Sequence, residues 1–279
     1  MKTITTIQEM KSHVRTMLAD GKSIGFVPTM GALHEGHLSL ILKSVAECDV
    51  TVVSIFVNPT QFAPNEDLDK YPRSLEQDTK LAENAGADVI FAPNANEMYG
   101  EEYSTYVDEK SLTQGLCGKS RPTHFRGVTT VVAKLFNIVS PARAYFGQKD
   151  AQQLAVIAKM TYDLNMSVEI IPCPIVREPD GLAMSSRNVY LSADDRKQAI
   201  ILYQSLTEAK ELIKSGETSA HTVKEKITSM LSSKNSAIID YVEIVDFGTL
   251  KPMEIIASPT LIALAVKFGN TRLIDNIIV

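Results

Sequence analysis

Cysteine is scarce in this sequence of 279 residues: Cys48, Cys117 and Cys173 stand far apart, odd in number and without C-x-x-C spacing. That excludes a disulfide framework and a cysteine zinc site, and leaves buried thiols as the plain reading. No apolar run approaches the roughly 18 residues that span a bilayer. The opening MKTITTIQEMKSH lacks the apolar core of a secretory leader. A cytoplasmic chain without a membrane partner is therefore expected. Blocks of Lys and Arg are also missing, and the net charge is −5. A nucleic-acid partner needs a basic face to meet phosphate, so none is expected. With 44% hydrophobic and 22% charged residues, the chain has the balance of globular domains rather than of disordered or fibrous ones.

What is present is a rhythm of strand and helix. Thr6 and Glu9 read as a capping box for a helix with Ile7, Met10, Val14, Met17 and Leu18 on one face, stopped by Gly21. Strands are expected at 24–27, 50–57, 88–91, 144–146 and 168–171. Helices are expected from Gly36, from Ser74 (a second box, with Gln77) to Ala85, over 128–138 and over 151–164. The run VTVVSIFV suits a strand covered on both faces. Repeated βα units predict a Rossmann-like, doubly wound parallel sheet, with ligands beyond the carboxyl ends of its strands. The segment REPDGLAMSSRN breaks the rhythm and marks a boundary, giving domains 1–176 and 177–279. The second domain reads as smaller and α+β. Two helical stripes are followed by β-rich runs at 238–245, 261–268 and 272–279, the last two joined by a Gly269-Asn270 turn.

The stretch PTMGALHEGHLSLI lies where a strand gives way to a helix. A helix N-terminus carries about half a positive charge and exposed N–H groups, which suit phosphate. His34 and His37, three apart, are expected on one face of the first turn as donors to phosphate oxygens. A P-loop is excluded, because His37 and Leu38 stand where Lys and Ser/Thr are required. A zinc-protease helix is excluded because its histidines are four apart. Gly118-Lys119-Ser120 imitates a P-loop ending but lacks the strand and helix around it, and reads as a polar loop. After the strand at 144–146, Gly147-Gln148-Lys149-Asp150 offers a lysine for phosphate, with Asp150 expected as the cap of the next helix and Gln153 one turn on. Met184-Ser185-Ser186-Arg187-Asn188 resembles an anion clamp. Asn58 and Gln61, in VNPTQF, are neutral hydrogen-bonding groups suited to a polyol or carboxylate.

In order along the chain, PTMGALHEGH, SIFVNPTQF, YFGQKDAQQL, IVREPDGLAMSSRN and the terminal RLIDN resemble the pantoate–beta-alanine ligase family. H-x-G-H alone resembles only the wider nucleotidyltransferase superfamily, whose members also move AMP or CMP to phosphorylated acceptors. The resemblance implies an AMP-forming ligase of pantothenate biosynthesis that uses ATP with Mg²⁺, pantoate and beta-alanine, has no resident metal, and forms a homodimer. It assigns catalysis to His37, His34 and Lys149. ATP falls to Met30, Gly31, Ala32, Leu33, His34, Glu35, Gly36, His37, Gly147, Gln148, Lys149, Asp150, Val176, Met184, Ser185, Ser186 and Arg187. Pantoate falls to Gln61 and Gln153, and beta-alanine to Gln61.

Overall fold

A computed structural model describes residues 1–64, 66–257 and 259–279. The chain resolves into two compact units. One comprises Met1–Lys110, Arg121–Gln148 and Gln153–Pro174; the other comprises Ser111–Ser120, Lys149–Gln152 and Ile175–Val279.

The elements in chain order are β1 (Lys2–Ile4), α1 (Ile7–Ala19), β2 (Ile24–Thr29), α2 (Glu35–Glu47), β3 (Val50–Ile55), α3 (Leu75–Asn84), β4 (Val89–Phe91), α4 (Ala95–Met98), α5 (Leu116–Ser120), α6 (His124–Val139), β5 (Arg143–Gly147), α7 (Ala151–Asp163) and β6 (Glu169–Cys173). The six strands form one parallel sheet in the order β1-β4-β3-β2-β5-β6. Its sequence order reverses between β2 and β5, which pair through Gly25–Arg143 and Phe26–Ala144. Such a reversal opens a crevice at the carboxyl ends of the two strands, because their following connections run to opposite sides. The apolar run of β3 is buried over residues 50–54, as a sheet covered on both faces requires. Val27, Ile41, Val53, Ile90 and Tyr145 form part of one core cluster there.

The second unit carries α8 (Ala193–Ala199), α9 (Ile201–Lys214), α10 (Ala220–Ser232), β7 (Ala237–Asp246), β8 (Thr260–Phe268) and β9 (Thr271–Ile278). The three strands form an antiparallel sheet in sequence order. Leu202, Leu206, Val223, Ile227, Leu264 and Phe268 share its core. The α/β sheet with a smaller α+β partner is thus the architecture that the patterning predicts.

Local chemistry departs from expectation at four places. Thr6 caps α1 as read, accepting from Glu9 N at 3.3 Å, whereas Ser74 makes no side-chain cap. Its ψ of 78°, against 146° at Thr6, is not the extended value that aims a cap hydroxyl at the helix. Residues 148–150 form a 3-10 turn that runs straight into α7, so Asp150 is not an N-cap; its carboxylate lies 3.9 Å from Lys149 Nζ. The P-loop mimic is not a loop but the short helix α5. A Cβ on Gly118 would meet Thr113 O at 1.9 Å, and Ser120 donates to Asp240 at 2.9 Å. Finally, α6 begins at His124, four residues before the apolar stripe, where His124 Nδ1 pairs with Gln61 O at 2.9 Å and Phe125 is buried.

Candidate active site

The loop after β2 is shaped by a buried carboxylate. Gly31 and Ala32 both have left-handed backbones, with φ of 86° and 51°. The turn they make directs the N–H groups of Ala32 and Leu33 toward one acceptor. That acceptor is internal. Asp78 of α3, 2% exposed, accepts from Ala32 N at 2.9 Å and Leu33 N at 2.8 Å. These two amides are therefore engaged by the protein itself. Glycine at 31 is required twice: for its φ, and because a Cβ would stand 2.9 Å from Asp78 Oδ2.

His34 and His37 come together by capping rather than by sharing a helical face. His34 is the N-cap of α2, with extended backbone, and its Nδ1 accepts from Gly36 N at 3.1 Å. His37 Nδ1 accepts in return from His34 N at 3.4 Å, so two imidazoles replace the Ser and Glu of a capping box. Their ring centroids are 4.2 Å apart. A neutral imidazole that accepts at Nδ1 carries its proton at Nε2, so the cap selects one tautomer for both rings. Each becomes an Nε2–H donor at a helix N-terminus, where anionic charge is favoured.

A second cluster surrounds Gln61. Asn58, 1% exposed, donates through Nδ2 to Gln61 Oε1 at 2.9 Å and to Gly127 O at 3.2 Å. Its Oδ1 accepts from Thr60 Oγ1 at 3.0 Å and Tyr99 OH at 2.8 Å. Asn58 thus works as a fixture, and by fixing the Gln61 amide oxygen it presents the amide NH₂ as a donor. The Gln61 carbonyl accepts from Arg121 Nη2 at 3.1 Å and pairs with His124 Nδ1 at 2.9 Å. Arg121 is itself held by Glu66, with bonds of 2.6 and 2.5 Å. Burial raises the Glu66 carboxyl, but the Arg121 hydrogen bond and charge outweigh it and leave the group below its ordinary range. Gly127 permits the approach of α6, since a Cβ there would meet Thr60 O at 2.3 Å. Burial also pushes the Tyr99 hydroxyl up to about 12, so it stays a protonated donor.

The remaining predicted residues fall into two groups. Gly147, Gln148 and Gln153 belong to the first unit and Lys149 and Asp150 to the second, where Lys149 is half-buried. Val176 O accepts from Met184 N at 3.0 Å, closing a hairpin that delivers Met184, Ser185, Ser186 and Arg187, all half-buried. Ser185 Oγ accepts from Arg187 N at 3.2 Å, which bends that loop on itself.

Asp78, Arg121 and His124 escaped the sequence reading. Asp78 reads as an ordinary acidic residue near a helix start, and Arg121 and His124 fall in a stretch without periodicity. No pattern in the chain marks a side chain whose partner is a distant backbone group.

The model of the family described as pantoate-beta-alanine ligase matches residues 2–278. The chain belongs to that family. The ligase is 63% identical to the pantothenate synthetase of Acetivibrio thermocellus over 279 residues, covering 100% of this chain and 99% of the relative. It is 60% identical to that of Thermotoga petrophila over 278 residues, with the same coverage. Among solved structures, pantothenate synthetase from Thermus thermophilus superposes with a TM-score of 0.95 at 44% identity, covering 99% of both chains. The pantoate-beta-alanine ligase of Francisella tularensis, complexed with beta-gamma ATP and beta-alanine, gives 0.81 at 37% identity, covering 100% of this chain and 97% of the other. These matches favour the ligase over a nucleotidyltransferase acting on a phosphorylated acceptor. No helix of the described residues is long and apolar enough to cross a membrane.

Proposed function

We propose that this ligase condenses (R)-pantoate with beta-alanine through pantoyl adenylate, using the residues assigned by motif. In the first step a pantoate carboxylate oxygen attacks the α-phosphorus of ATP, and the bond to the β-phosphate oxygen breaks to release pyrophosphate. In the second, the beta-alanine amine attacks the acyl carbon, the acyl–oxygen bond to AMP breaks, and the nitrogen loses a proton. A free carboxylate is a poor acyl donor, so adenylation supplies the leaving group. The first step asks chiefly for positioning and charge stabilisation.

The observation that carries this reading is the two-imidazole cap of α2. It supports His37 and His34 as Nε2–H donors to phosphate oxygens while negative charge builds on the departing pyrophosphate. Lys149 neutralises phosphate charge, residues 184–187 bind the triphosphate, and Val176 meets the adenine side through its backbone. Gln61 and Gln153 hold pantoate, and Gln61 also meets beta-alanine. The donors assigned to ATP are imidazole, ammonium, guanidinium, hydroxyl and amide. Among the described residues no group of three His, Cys, Asp or Glu side chains is placed to hold a metal. Mg²⁺ is proposed to enter with ATP as part of the substrate, as the family resemblance implies. We further assign residues 1–176 to ATP and pantoate binding and 177–279 to a smaller second domain, in a cytoplasmic homodimer.

The test is exchange of labelled pyrophosphate into ATP. Exchange that requires pantoate and proceeds without beta-alanine is expected; its absence in folded, pantothenate-forming protein would rule out the adenylate. Light scattering checks the dimer.

A further inference from the structure

The final strand carries two buried polar side chains, Asp275 and Asn276, at 1% and 3% exposure, that the reaction as described does not use. Asp275 receives both arms of Arg177, Nη1 at 2.7 Å and Nη2 at 2.9 Å. The same guanidinium donates to Gly181 O at 3.0 Å and lies 4.2 Å over the ring of Tyr203. It thereby grips both ends of the turn at 177–181. Arg177 also pairs across the hairpin with Ala183, one residue before Met184.

Asn276 extends this network in the other direction. Its N–H donates to Asp275 Oδ1 at 2.8 Å, and its side-chain Nδ2 donates to the carbonyl of Lys149 at 2.9 Å. A continuous path of hydrogen bonds thus runs from the hairpin that leads to residues 184–187, through Arg177, Asp275 and Asn276, to the backbone of Lys149. Burial pushes the Asp275 carboxyl up; the Arg177 hydrogen bonds and charge, and more weakly the Lys149 charge, oppose that.

A buried ion pair is a poor source of stability, because desolvation offsets its attraction and a well-packed apolar pair does as well. An apolar pair, however, cannot hold a backbone carbonyl or both ends of a turn. We infer that Asn276 and the Arg177–Asp275 pair are positioning residues for adenylation, a brace that sets the backbone of Lys149 and the hairpin carrying Met184–Arg187 together. The inference rests on the phosphate role proposed for Lys149.

A double-mutant cycle on the full-length enzyme tests it, read as pantoate-dependent pyrophosphate exchange and as thermal midpoint. Lys149→Ala is expected to abolish most exchange. Asn276→Ala is expected to lower the maximal exchange rate about tenfold or more, since small misplacement of a catalytic group is expensive. The pantoate KM should stay unchanged and the midpoint should move by no more than about 2 °C. Asn276→Asp fills the same volume without the donor and should lose at least as much; it carries the test if the alanine variant does not fold. In the Lys149→Ala background, Asn276→Ala should cause less further loss than in the wild type, because the part of the brace that acts through the Lys149 side chain is already gone. Wild-type exchange in Asn276→Asp, or losses that multiply fully in the double variant, would overturn the brace alone. Wild-type exchange in Lys149→Ala would overturn the phosphate role and the brace with it.

Discussion

The loop after β2 and the turn after β5 leave neighbouring strands, yet they are held in different ways. The first is secured within the first unit: Asp78, 46 residues from Ala32, accepts from its backbone, and His34 and His37 cap each other across three residues. The second is secured through Asn276, 127 residues from Lys149. The difference is one of dependence. A loop closed by a buried carboxylate on two backbone amides is part of the folded core, so disturbing it should cost stability and activity together. The bond from Asn276 meets a backbone carbonyl of the turn rather than a buried charge, so removing it should cost activity more than stability.

The largest effect should come from chemistry rather than bracing. His37→Ala removes a donor that strengthens as pyrophosphate leaves, and kcat for pantothenate formation should fall by about 10² or more, with a smaller change in the ATP KM. A variant that lost only ATP affinity would mean that the β2 loop binds without catalysing. Next, Asp78→Ala removes the acceptor of two N–H groups, the part-buried one of Ala32 and the buried one of Leu33. At about 1–3 kcal/mol each, the loss should lower unfolding free energy by about 2–6 kcal/mol in urea titration, together with activity. Loss of activity at unchanged stability would erase the contrast with the β5 turn. Gly31→Ala is milder: the left-handed backbone costs about 1–2 kcal/mol, and its new methyl crowds Asp78, so a lowered urea midpoint is expected.

The smallest effect concerns the Gln61 cluster and depends on pH. Glu66 has its pKa lowered in the fold from an ordinary 4.5. A depressed carboxyl contributes stability that is fully present above the unfolded value and is lost as pH falls through the folded one. Urea midpoints of wild type and Glu66→Gln should therefore differ by a constant amount from near neutrality down to about 5 and converge below 4.5. A gap that persists in acid would show that Arg121 is held by packing rather than by charge.

The sheet was legible in the sequence because its strands are marked by apolar continuity and its helices by stripes and stops, signals that each stretch carries alone. Ile4 and its short edge strand were not, since three residues show no period. The residues proposed to face ligand were legible in the sequence where they sit at strand ends beside glycine and histidine, as at His34, His37 and Lys149. Asp78 and Arg121 were silent, for their importance lies in which backbone groups they meet.

The sequence by itself determined the parallel α/β architecture, the smaller antiparallel partner and the family, because periodicity and motif are properties of neighbouring residues. Tertiary structure decided the carboxylate lodged in the β2 loop and the bond from Asn276 to Lys149. Those depend on hydrogen-bond partners far apart in the chain, which burial then obliges to pair.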